Sequence, residues 1–385
     1  MSFSIERWRS LGGRSPFGSM VRQQAGGGAP AEFPPWEDND PVWANYADPL
    51  DDLFTGIGSN FDKDTSAEIG SLTTDTLKWW GGVLATTGII YGIPLKATTI
   101  LRIDPSTDSV TTFGTLSGTN KWAGGVLAPN GIIYGIPYNS TSILRIDPSD
   151  DSVTTFGSFS GSGKWMGGVL GPNGIIYGIP ENSETILRID PSDDSTTTFG
   201  GTLSGIQKWN SGVLGPNGII YGIPYTSTSI LRIDPSDDSV TTFGTLSGDP
   251  DWSCGVLGPN GIIYGIPSNS ETILRLDPSD DSTTTFGSLP AGSSHWRGGV
   301  LGPNGKIYGI PYTSTTVLEI DPSDDSVTTF GSFTGPSGSK WWGGVLGTNG
   351  SIYGIAATHE KVLKLNTVSI AVPEDMPLAR YWNKL

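Results

Sequence analysis

Residues 164–205 read KWMGGVLGPNGIIYGIPENSETILRIDPSDDSTTTFGGTLSG, and near copies of this stretch fill most of the 385-residue chain. A tryptophan recurs in every copy, at Trp79, Trp122, Trp165, Trp209, Trp252, Trp296 and Trp341. A tyrosine within Ile-Tyr-Gly-Ile recurs at Tyr91, Tyr134, Tyr177, Tyr221, Tyr264, Tyr308 and Tyr353, at spacings of 43 to 45 residues. Self-similarity at such a period is typical of repeat architectures, and it indicates seven units.

Each unit contains four short runs that favour β-strands, which in residues 164–205 are Trp165 to Leu170, Ile175 to Ile179, Ile186 to Ile189 and Thr196 to Phe199. Gly-Pro-Asn-Gly, Pro-Glu-Asn-Ser-Glu and Asp-Pro-Ser-Asp-Asp separate these runs, and such residues favour tight turns. Four strands joined by short loops form one up-and-down blade. The sequence therefore predicts an all-β fold, a seven-bladed β-propeller of four-stranded antiparallel blades, with the repeated Trp and Tyr in its interior.

The two ends of the repeat region predict how the ring closes. The last unit, from Lys340, supplies three strands and then departs from the pattern, whereas DTSAEIGSL at residues 64–72 aligns with the fourth-strand sequence DSVTTFGSL. We expect this N-terminal strand, Ser66 to Ile69, to pair with Val362 to Leu365, because the pairing would remove two open sheet edges. The predicted domains are an extended arm at 1–60, the propeller at 61–372 and a tail at 373–385.

From residue 64 to residue 366 the chain repeats Pro-Asn-Gly, Ile-Tyr-Gly-Ile-Pro, Leu-Arg-Ile-Asp-Pro and Val-Thr-Thr-Phe-Gly. This pattern resembles the propellers of the YVTN surface-layer type and of the streptogramin-lyase-like group. Lyases of that group use a histidine with glutamates and a divalent metal, so the resemblance implies a site at His295, His359 and Glu360. The alternative is that both histidines are chance substitutions in loops and have no catalytic role. The fold does not decide between these interpretations, since one fold can carry many functions.

Composition excludes several classes of function. The formal net charge is -16, which disfavours binding to nucleic acid or to an anionic membrane surface. The single cysteine, Cys254, excludes an internal disulfide framework and a cysteine-based zinc site. No apolar run is long enough for a transmembrane helix, and the N-terminus lacks the apolar region of a Sec signal. We found no phosphate loop, catalytic triad or HExxH motif, so we predict a non-enzyme without a cofactor or metal.

The loops fall on two faces of the predicted disc. We call the face with the Gly-Pro-Asn-Gly and Asp-Pro-Ser-Asp-Asp turns the constant face, because those turns hardly change between units. The loops between second and third strands and between blades lie on the other face, which we call the variable face. Binding residues concentrate on loops held by a rigid scaffold, so the variable face is the predicted recognition surface.

Residues of the variable face form the predicted binding site. Five lysines precede the repeated tryptophan, and Asp251 and His295 occupy the same position in the other two units. An exposed lysine ring would hold an anionic ligand or an acidic peptide, whereas nearby tyrosines would suit a glycan; the alternative is that the lysines only solvate strand ends. The predicted binding residues are Lys78, Lys121, Lys164, Lys208, Lys340, His295, Tyr138, Tyr225, Tyr312 and His359.

The Asp-Pro-Ser-Asp-Asp turns of the constant face have two interpretations. Clustered carboxylates can bind calcium, which takes six to eight oxygen ligands. The simpler interpretation is a tight turn in which the first aspartate caps the backbone and the others stay hydrated.

Residues 1–60 lie outside the repeat and contain too few apolar residues for a core of their own. Their aromatic and basic residues instead indicate docking, either back onto the propeller or onto another chain. The favoured interpretation is an arm that binds other protein subunits through Arg7, Trp8, Arg9, Phe17, Phe33, Trp36, Trp43 and Tyr46. The leading hypothesis is a non-enzymatic attachment protein of a virion or cell surface, anchored by this arm. The alternatives are a metal-dependent lyase or hydrolase of the streptogramin-lyase-like type and an intracellular scaffold that binds acidic peptides.

Overall fold

The computed structural model describes residues 66–246, 250–292, 294–334 and 338–367, and this part of the chain forms seven four-stranded antiparallel sheets. The predicted arm at 1–60 and tail at 373–385 lie outside the described residues. The seven-bladed propeller predicted from the repeat is confirmed.

Each blade contributes one strand to each of four positions, counted from first to fourth. The first strands are Trp79–Leu84 (β2), Trp122–Leu127 (β6), Trp165–Leu170 (β10), Trp209–Leu214 (β14), Trp252–Leu257 (β18), Trp296–Leu301 (β22) and Trp341–Leu346 (β26). The second strands are Ile90–Pro94 (β3), Ile133–Pro137 (β7), Ile176–Pro180 (β11), Ile220–Pro224 (β15), Ile263–Pro267 (β19), Ile307–Pro311 (β23) and Ser351–Ala356 (β27).

The outer half of each blade is built in the same way. The third strands are Ile100–Asp104 (β4), Ile143–Asp147 (β8), Ile186–Asp190 (β12), Ile230–Asp234 (β16), Ile273–Asp277 (β20), Val317–Asp321 (β24) and Val362–Asn366 (β28). The fourth strands are Ser109–Phe113 (β5), Ser152–Phe156 (β9), Ser195–Phe199 (β13), Ser239–Phe243 (β17), Ser282–Phe286 (β21), Ser326–Phe330 (β25) and, for the seventh blade, Ser66–Ile69 (β1).

The first strands surround the axis of the ring. Each one contacts the first strands of both neighbouring blades, and β26 contacts β2 to complete the circle. A repeated glycine makes this close approach possible: a Cβ on Gly125 would lie 2.7 Å from Cδ1 of Ile93 in the preceding blade. The side chains of the first and second strands are mostly buried, so the core runs between blades all round the ring.

The ring closes as the sequence predicts. β1 pairs antiparallel with β28 in the register Ser66 to Leu365 through Ile69 to Val362. The seventh blade therefore consists of three strands from the end of the repeat region and one from its beginning. This pairing covers the outer edge of β28.

The repeated Trp and Tyr side chains are core residues, as predicted. Each of the seven tryptophans is at most 3% exposed and donates its Nε1–H to a backbone carbonyl of its own blade at 2.7–2.9 Å. The seven tyrosines are at most 4% exposed. Burying large aromatic rings with their polar ends satisfied stabilises each blade against the next.

The tyrosine hydroxyls link neighbouring blades on the constant face. Tyr177 donates to Oδ1 of Asp238 in the next blade at 2.9 Å, and Asn173 donates to the Pro235 carbonyl at 2.8 Å. The same tyrosine-to-aspartate bond, at 2.6–2.9 Å, joins Tyr91 to Asp151, Tyr134 to Asp194, Tyr221 to Asp281, Tyr264 to Asp325 and Tyr353 to Asp108. Six of the seven blade junctions thus share one polar link.

The Asp-Pro-Ser-Asp-Asp turn explains this link. The first aspartate caps the backbone as predicted: Asp147 accepts from the backbone N–H and the hydroxyl of Ser149 at 3.0 and 2.6 Å. The last aspartate, Asp151, has a positive φ of 58° and accepts from Tyr91, and its Oδ2 lies 3.6 Å from Nε of Arg102. This aspartate therefore joins two blades, which the sequence interpretation of a merely hydrated carboxylate missed.

The junction between the sixth and seventh blades differs from the others. Among the described residues no aspartate accepts from Tyr308, although its oxygen still accepts from Asn304 Nδ2 at 2.8 Å. Glu319 replaces the arginine of the other units, and Lys306 lies 2.8 Å from its Oε1 and 3.2 Å from Oδ2 of Asp321. Both of these ion pairs join residues of the sixth blade to each other.

The polar link between blades can be tested by substituting both of its partners. We expect Tyr177→Phe to lower the free energy of unfolding by about 1–3 kcal/mol, because it removes a hydrogen bond to a carboxylate. Asp238→Ala removes the other partner of the same bond, so we expect the double variant to lose less than the sum of the two single losses. Urea denaturation of the three variants measures this coupling, and additive losses would show that the tyrosine-to-aspartate bond contributes nothing.

Candidate functional site

A β-bulge directs one side chain per blade towards the axis. In β10, Trp165 pairs with Pro180, but the next paired residue is Gly168, opposite Gly178. Gly167 adopts a φ of 72°, a conformation that favours glycine, and bulges of this kind re-aim the neighbouring side chain. The residues at the bulge are Trp80, Ala123, Met166, Asn210, Ser253, Arg297 and Trp342.

A second set of side chains comes from the residue that follows each second strand. These residues are Leu95, Tyr138, Glu181, Tyr225, Ser268, Tyr312 and Ala357. Both sets lie at the variable-face end of the first and second strands. We call the fourteen residues of the two sets, together with Asp251, the axial mouth.

Side chains of the axial mouth meet across the ring. The ring of Trp80 stacks on Tyr138 and lies tilted against Trp342, with centroids 5.9 and 3.4 Å apart, so three blades contribute to one aromatic group. Arg297 of the sixth blade reaches Tyr225 of the fourth, with Nη2 3.3 Å from its hydroxyl. Contacts between blades that are not neighbours require the side chains to lie at the axis.

Arg297 occupies the centre of an aromatic cage. Its Cζ lies 4.3 Å from the ring centroid of Trp342, 5.0 Å from that of Tyr312 and 5.7 Å from that of Tyr225. These distances are within the range of cation–π attraction. The polar anchoring of the guanidinium is weak, since its two hydrogen bonds, to Tyr225 and Ser294, are both 3.3 Å long.

Polar atoms without partners are concentrated at the axial mouth. Seven buried side-chain nitrogen or oxygen atoms of the described residues have no hydrogen-bond partner, and six of them belong to this group. The six atoms are Trp80 Nε1, Glu181 Oε2, Asn210 Oδ1, Asp251 Oδ1, Ser268 Oγ and Arg297 Nε. Buried polar atoms are nearly always satisfied in native proteins, so this concentration indicates a place that a ligand or ordered water completes.

Burial also changes the acidity of the two carboxylates. It raises the pKa of Glu181 to about 7, against the opposing effects of a hydrogen bond from Tyr138 and the charges of Lys208 and Arg297. Burial likewise raises the pKa of Asp251 to about 6, although Asn269 donates to its other oxygen. The axial mouth therefore combines aromatic rings, one arginine and two carboxyl groups that titrate near neutrality.

The five predicted lysines are not part of an exposed ring. They are at most 4% exposed. Lys164 Nζ donates to the carbonyls of Tyr138, Ser140 and Gly161 at 2.9–3.1 Å, and Lys78, Lys121 and Lys208 each bind three carbonyls in the same way. Lys340 donates to the Thr313 carbonyl at 3.0 Å. The prediction of an accessible positive ring is thus corrected: the ammonium groups hold the loops of the variable face together.

The predicted histidines lie in different surroundings. His359 is 6% exposed, stacks on Trp341 at 4.7 Å, and has its Nε2 3.5 Å from Oε1 of Glu68. Its Nδ1 accepts from the backbone N–H of Lys361 at 3.2 Å, so both ring nitrogens face groups of the ring-closing blade. His295 is half-buried against Trp296, and Glu360 is exposed. In the part of the chain that the structure describes, no three His, Cys, Asp or Glu side chains are grouped to hold a metal ion.

The three predicted tyrosines do come together at the axial mouth. Tyr138 contacts Trp80, Tyr312 contacts Trp342 edge-on at 5.0 Å, and Tyr225 contacts Arg297. The sequence analysis missed the bulge residues, because it treated the position after each tryptophan as a neutral part of the repeat. The residue at this position varies among Trp, Ala, Met, Asn, Ser and Arg, whereas its neighbours are nearly constant. This contrast was the sequence signal that could have identified the bulge residues.

The raised pKa values predict a pH-dependent stability. Between pH 4.5 and pH 7 the carboxyl of Glu181 keeps its proton in the folded state after losing it in the unfolded state, so its stabilising contribution falls as pH rises. We expect Glu181→Gln to become progressively more stable than wild type across this interval, as measured by urea denaturation. Glu184→Gln, at an exposed neighbouring position, is the control. If the stability difference between Glu181→Gln and wild type does not change with pH, the pKa of Glu181 is not raised in the folded state.

Comparisons with known proteins agree with this architecture. A streptogramin B lyase structure matches with a TM-score of 0.68 at 16% identity, over 78% of this chain and 97% of the lyase. A catalytically inactive virginiamycin B lyase from Staphylococcus aureus, solved with quinupristin, matches with 0.67 at 16% identity, over 78% and 98%. Hydrazine synthase from Kuenenia stuttgartiensis matches with 0.62 at 14% identity, over 81% and 100%. Sequence identities this low show only that the fold is shared. The predicted resemblance to the streptogramin-lyase-like propellers is therefore confirmed for the fold.

No curated protein sequence matches the chain. Within the described residues, no helix has the length and apolar character needed to cross a membrane. The model of the family described as "Repeat of unknown function (DUF6923)" matches residues 86–213, 172–302 and 218–374. Because these overlapping matches cover more than half of the sequence, the chain belongs to the DUF6923 repeat family.

Proposed function

We propose that this propeller is a non-enzymatic binding and attachment protein that holds its ligand at the axial mouth of the variable face. One observation carries the proposal: six unpartnered buried polar atoms are grouped there among the aromatic rings of five blades. Binding sites typically combine apolar and aromatic walls with a few polar groups that fix the ligand.

The distribution of fixed and varied residues supports the choice of face. On the constant face, the tyrosine and aspartate side chains are engaged between blades, so their identity is tied to the fold. At the axial mouth, the seven units contribute different residues to the same two structural positions. The lysine contacts with the loop carbonyls make this varied face rigid, which reduces the entropy lost on binding.

Binding can be tested with immobilised glycan and peptide libraries and the labelled full chain. We expect retention on members of one library, and at least a tenfold loss for Trp342→Ala, because the variant removes a wall shared by Trp80, Arg297 and Tyr312. Asp324→Ala on the constant face is the matched control and should bind like wild type. Retention by neither library, or loss only in the constant-face variant, would refute the proposal.

The attachment role depends on the predicted arm, in which Arg7, Trp8, Arg9, Phe17, Phe33, Trp36, Trp43 and Tyr46 would bind other protein subunits of a virion or cell-surface assembly. Deletion of residues 1–50 should abolish incorporation into the assembly and leave ligand binding by the propeller unchanged. Co-purification with the assembly measures incorporation. Unchanged incorporation of the shortened chain would remove the attachment role while leaving the binding function intact.

Catalysis of the lyase type is the competing function, and quinupristin is a direct probe for it. The environment of His359, stacked on Trp341 and beside Glu68, favours a structural role. We therefore expect quinupristin, incubated with the full chain and Mg²⁺, to be recovered unchanged by liquid chromatography and mass spectrometry. A new product that disappears with His359→Ala would show that the chain is an enzyme.

A further inference from the structure

We propose that the axial mouth binds a single neutral sugar ring, such as the terminal residue of a glycan. This inference rests on the proposed function, binding at the axial mouth, and it adds the chemical class of the ligand. Three observations support it: the unpartnered atoms include both hydrogen-bond donors and acceptors, charged groups lie around them, and aromatic rings lie beside them.

The unpartnered atoms require a ligand that both donates and accepts hydrogen bonds. Trp80 Nε1 and Arg297 Nε can only donate. Asn210 Oδ1 can only accept, as can the oxygens of Glu181 and Asp251 when these groups are ionised, and Ser268 Oγ can do either. A hydroxyl group donates one hydrogen bond and accepts two, so a polyhydroxylated ring supplies partners of both kinds, whereas an ammonium or a carboxylate supplies only one kind.

The charges at the mouth disfavour an ionic ligand. Glu181 and Asp251 would repel an anion, and the guanidinium of Arg297, which interacts with both carboxylates, would repel a cation. Moving any net charge into such a buried place costs free energy unless it gains a dedicated partner. A neutral ligand avoids this cost.

The aromatic rings supply the apolar part of the site. One face of a sugar ring presents C–H groups, and these pack against aromatic faces such as those of Trp80, Tyr138 and Trp342. The three rings already lie side by side, with the centroid of Trp80 3.4 Å from that of Trp342 and 5.9 Å from that of Tyr138. Rigid aromatic surfaces lose little conformational entropy when a ligand binds to them.

Entry of a ring requires one side chain to turn aside, because Trp80, Arg297 and Trp342 are at most 9% exposed. Arg297 is the side chain whose polar anchoring is weakest, with two hydrogen bonds of 3.3 Å and no partner for Nε. After turning, its five N–H groups can still donate to sugar hydroxyls.

Calorimetric titration of the full chain tests this inference, with D-galactose, D-mannose, D-glucose and N-acetyl-D-glucosamine as neutral probes. D-Glucosamine and N-acetylneuraminic acid are the cationic and anionic probes. We expect at least one neutral sugar to bind and both charged sugars to bind at least tenfold more weakly. Failure of every neutral sugar to bind, or equal binding of a charged sugar, would overturn the inference.

Two variants locate the binding. Asn210→Leu removes an unpartnered oxygen, so we expect at least a tenfold loss of sugar affinity with an unchanged or raised unfolding midpoint, since no existing hydrogen bond of that oxygen is broken. Glu184→Gln, at an exposed position outside the axial mouth, is the control and should bind within twofold of wild type. Sugar binding that survives Asn210→Leu would overturn the inference.

The result also separates the two proposals. A non-carbohydrate ligand retained by wild type and lost in Trp342→Ala would leave the proposed function standing and exclude the sugar. If no sugar binds and Asn210→Leu lowers the unfolding midpoint, the unpartnered oxygen belongs to a water network, and the inference fails.

Discussion

The pairing of β1 with β28 is the constraint on which the rest of the molecule depends. Without it the seventh blade would have three strands, and β28 would expose an unpaired edge to solvent. With it, seven nearly equal sheets share one axis and each first strand contacts two others. Glu68 of the closing strand also faces His359, so this histidine belongs to the closure of the ring.

The closed ring explains why most of the repeat is uniform. Among the described residues, six of the seven tyrosines reach an aspartate in the next blade, the buried lysines reach carbonyls of neighbouring loops, and the second glycine of each first strand admits an isoleucine from the preceding blade. A residue that serves the same contact in every unit has little freedom to differ. In the sixth blade the repeat arginine is replaced by Glu319, which is paired with Lys306 of its own blade.

The axial mouth is where this uniformity ends. The backbone geometry at the bulge and after the second strand is repeated in the blades, but the residue types at these two positions vary between units. The seven similar blades therefore carry an asymmetric group of side chains at the axis. Burial there raises the pKa of Glu181 and Asp251 and leaves six polar atoms unpartnered. Such features reduce the stability of the free protein, and proteins commonly tolerate them at binding sites, where a ligand supplies the missing contacts.

The sequence by itself determined the blade count, the four strands of each blade, the burial of Trp and Tyr and the strand that closes the ring, because these follow from local period and from the alignment of the two ends. It also placed Tyr138, Tyr225 and Tyr312 in loops of the variable face. Only the tertiary structure decided that Lys164 and its counterparts are buried donors, and that Arg297, Glu181 and Asp251 meet at the axis. The reason is physical: a repeat pattern defines what each unit does within itself and with the next unit, whereas side-chain contacts across the axis depend on the bulge geometry and on all seven blades together.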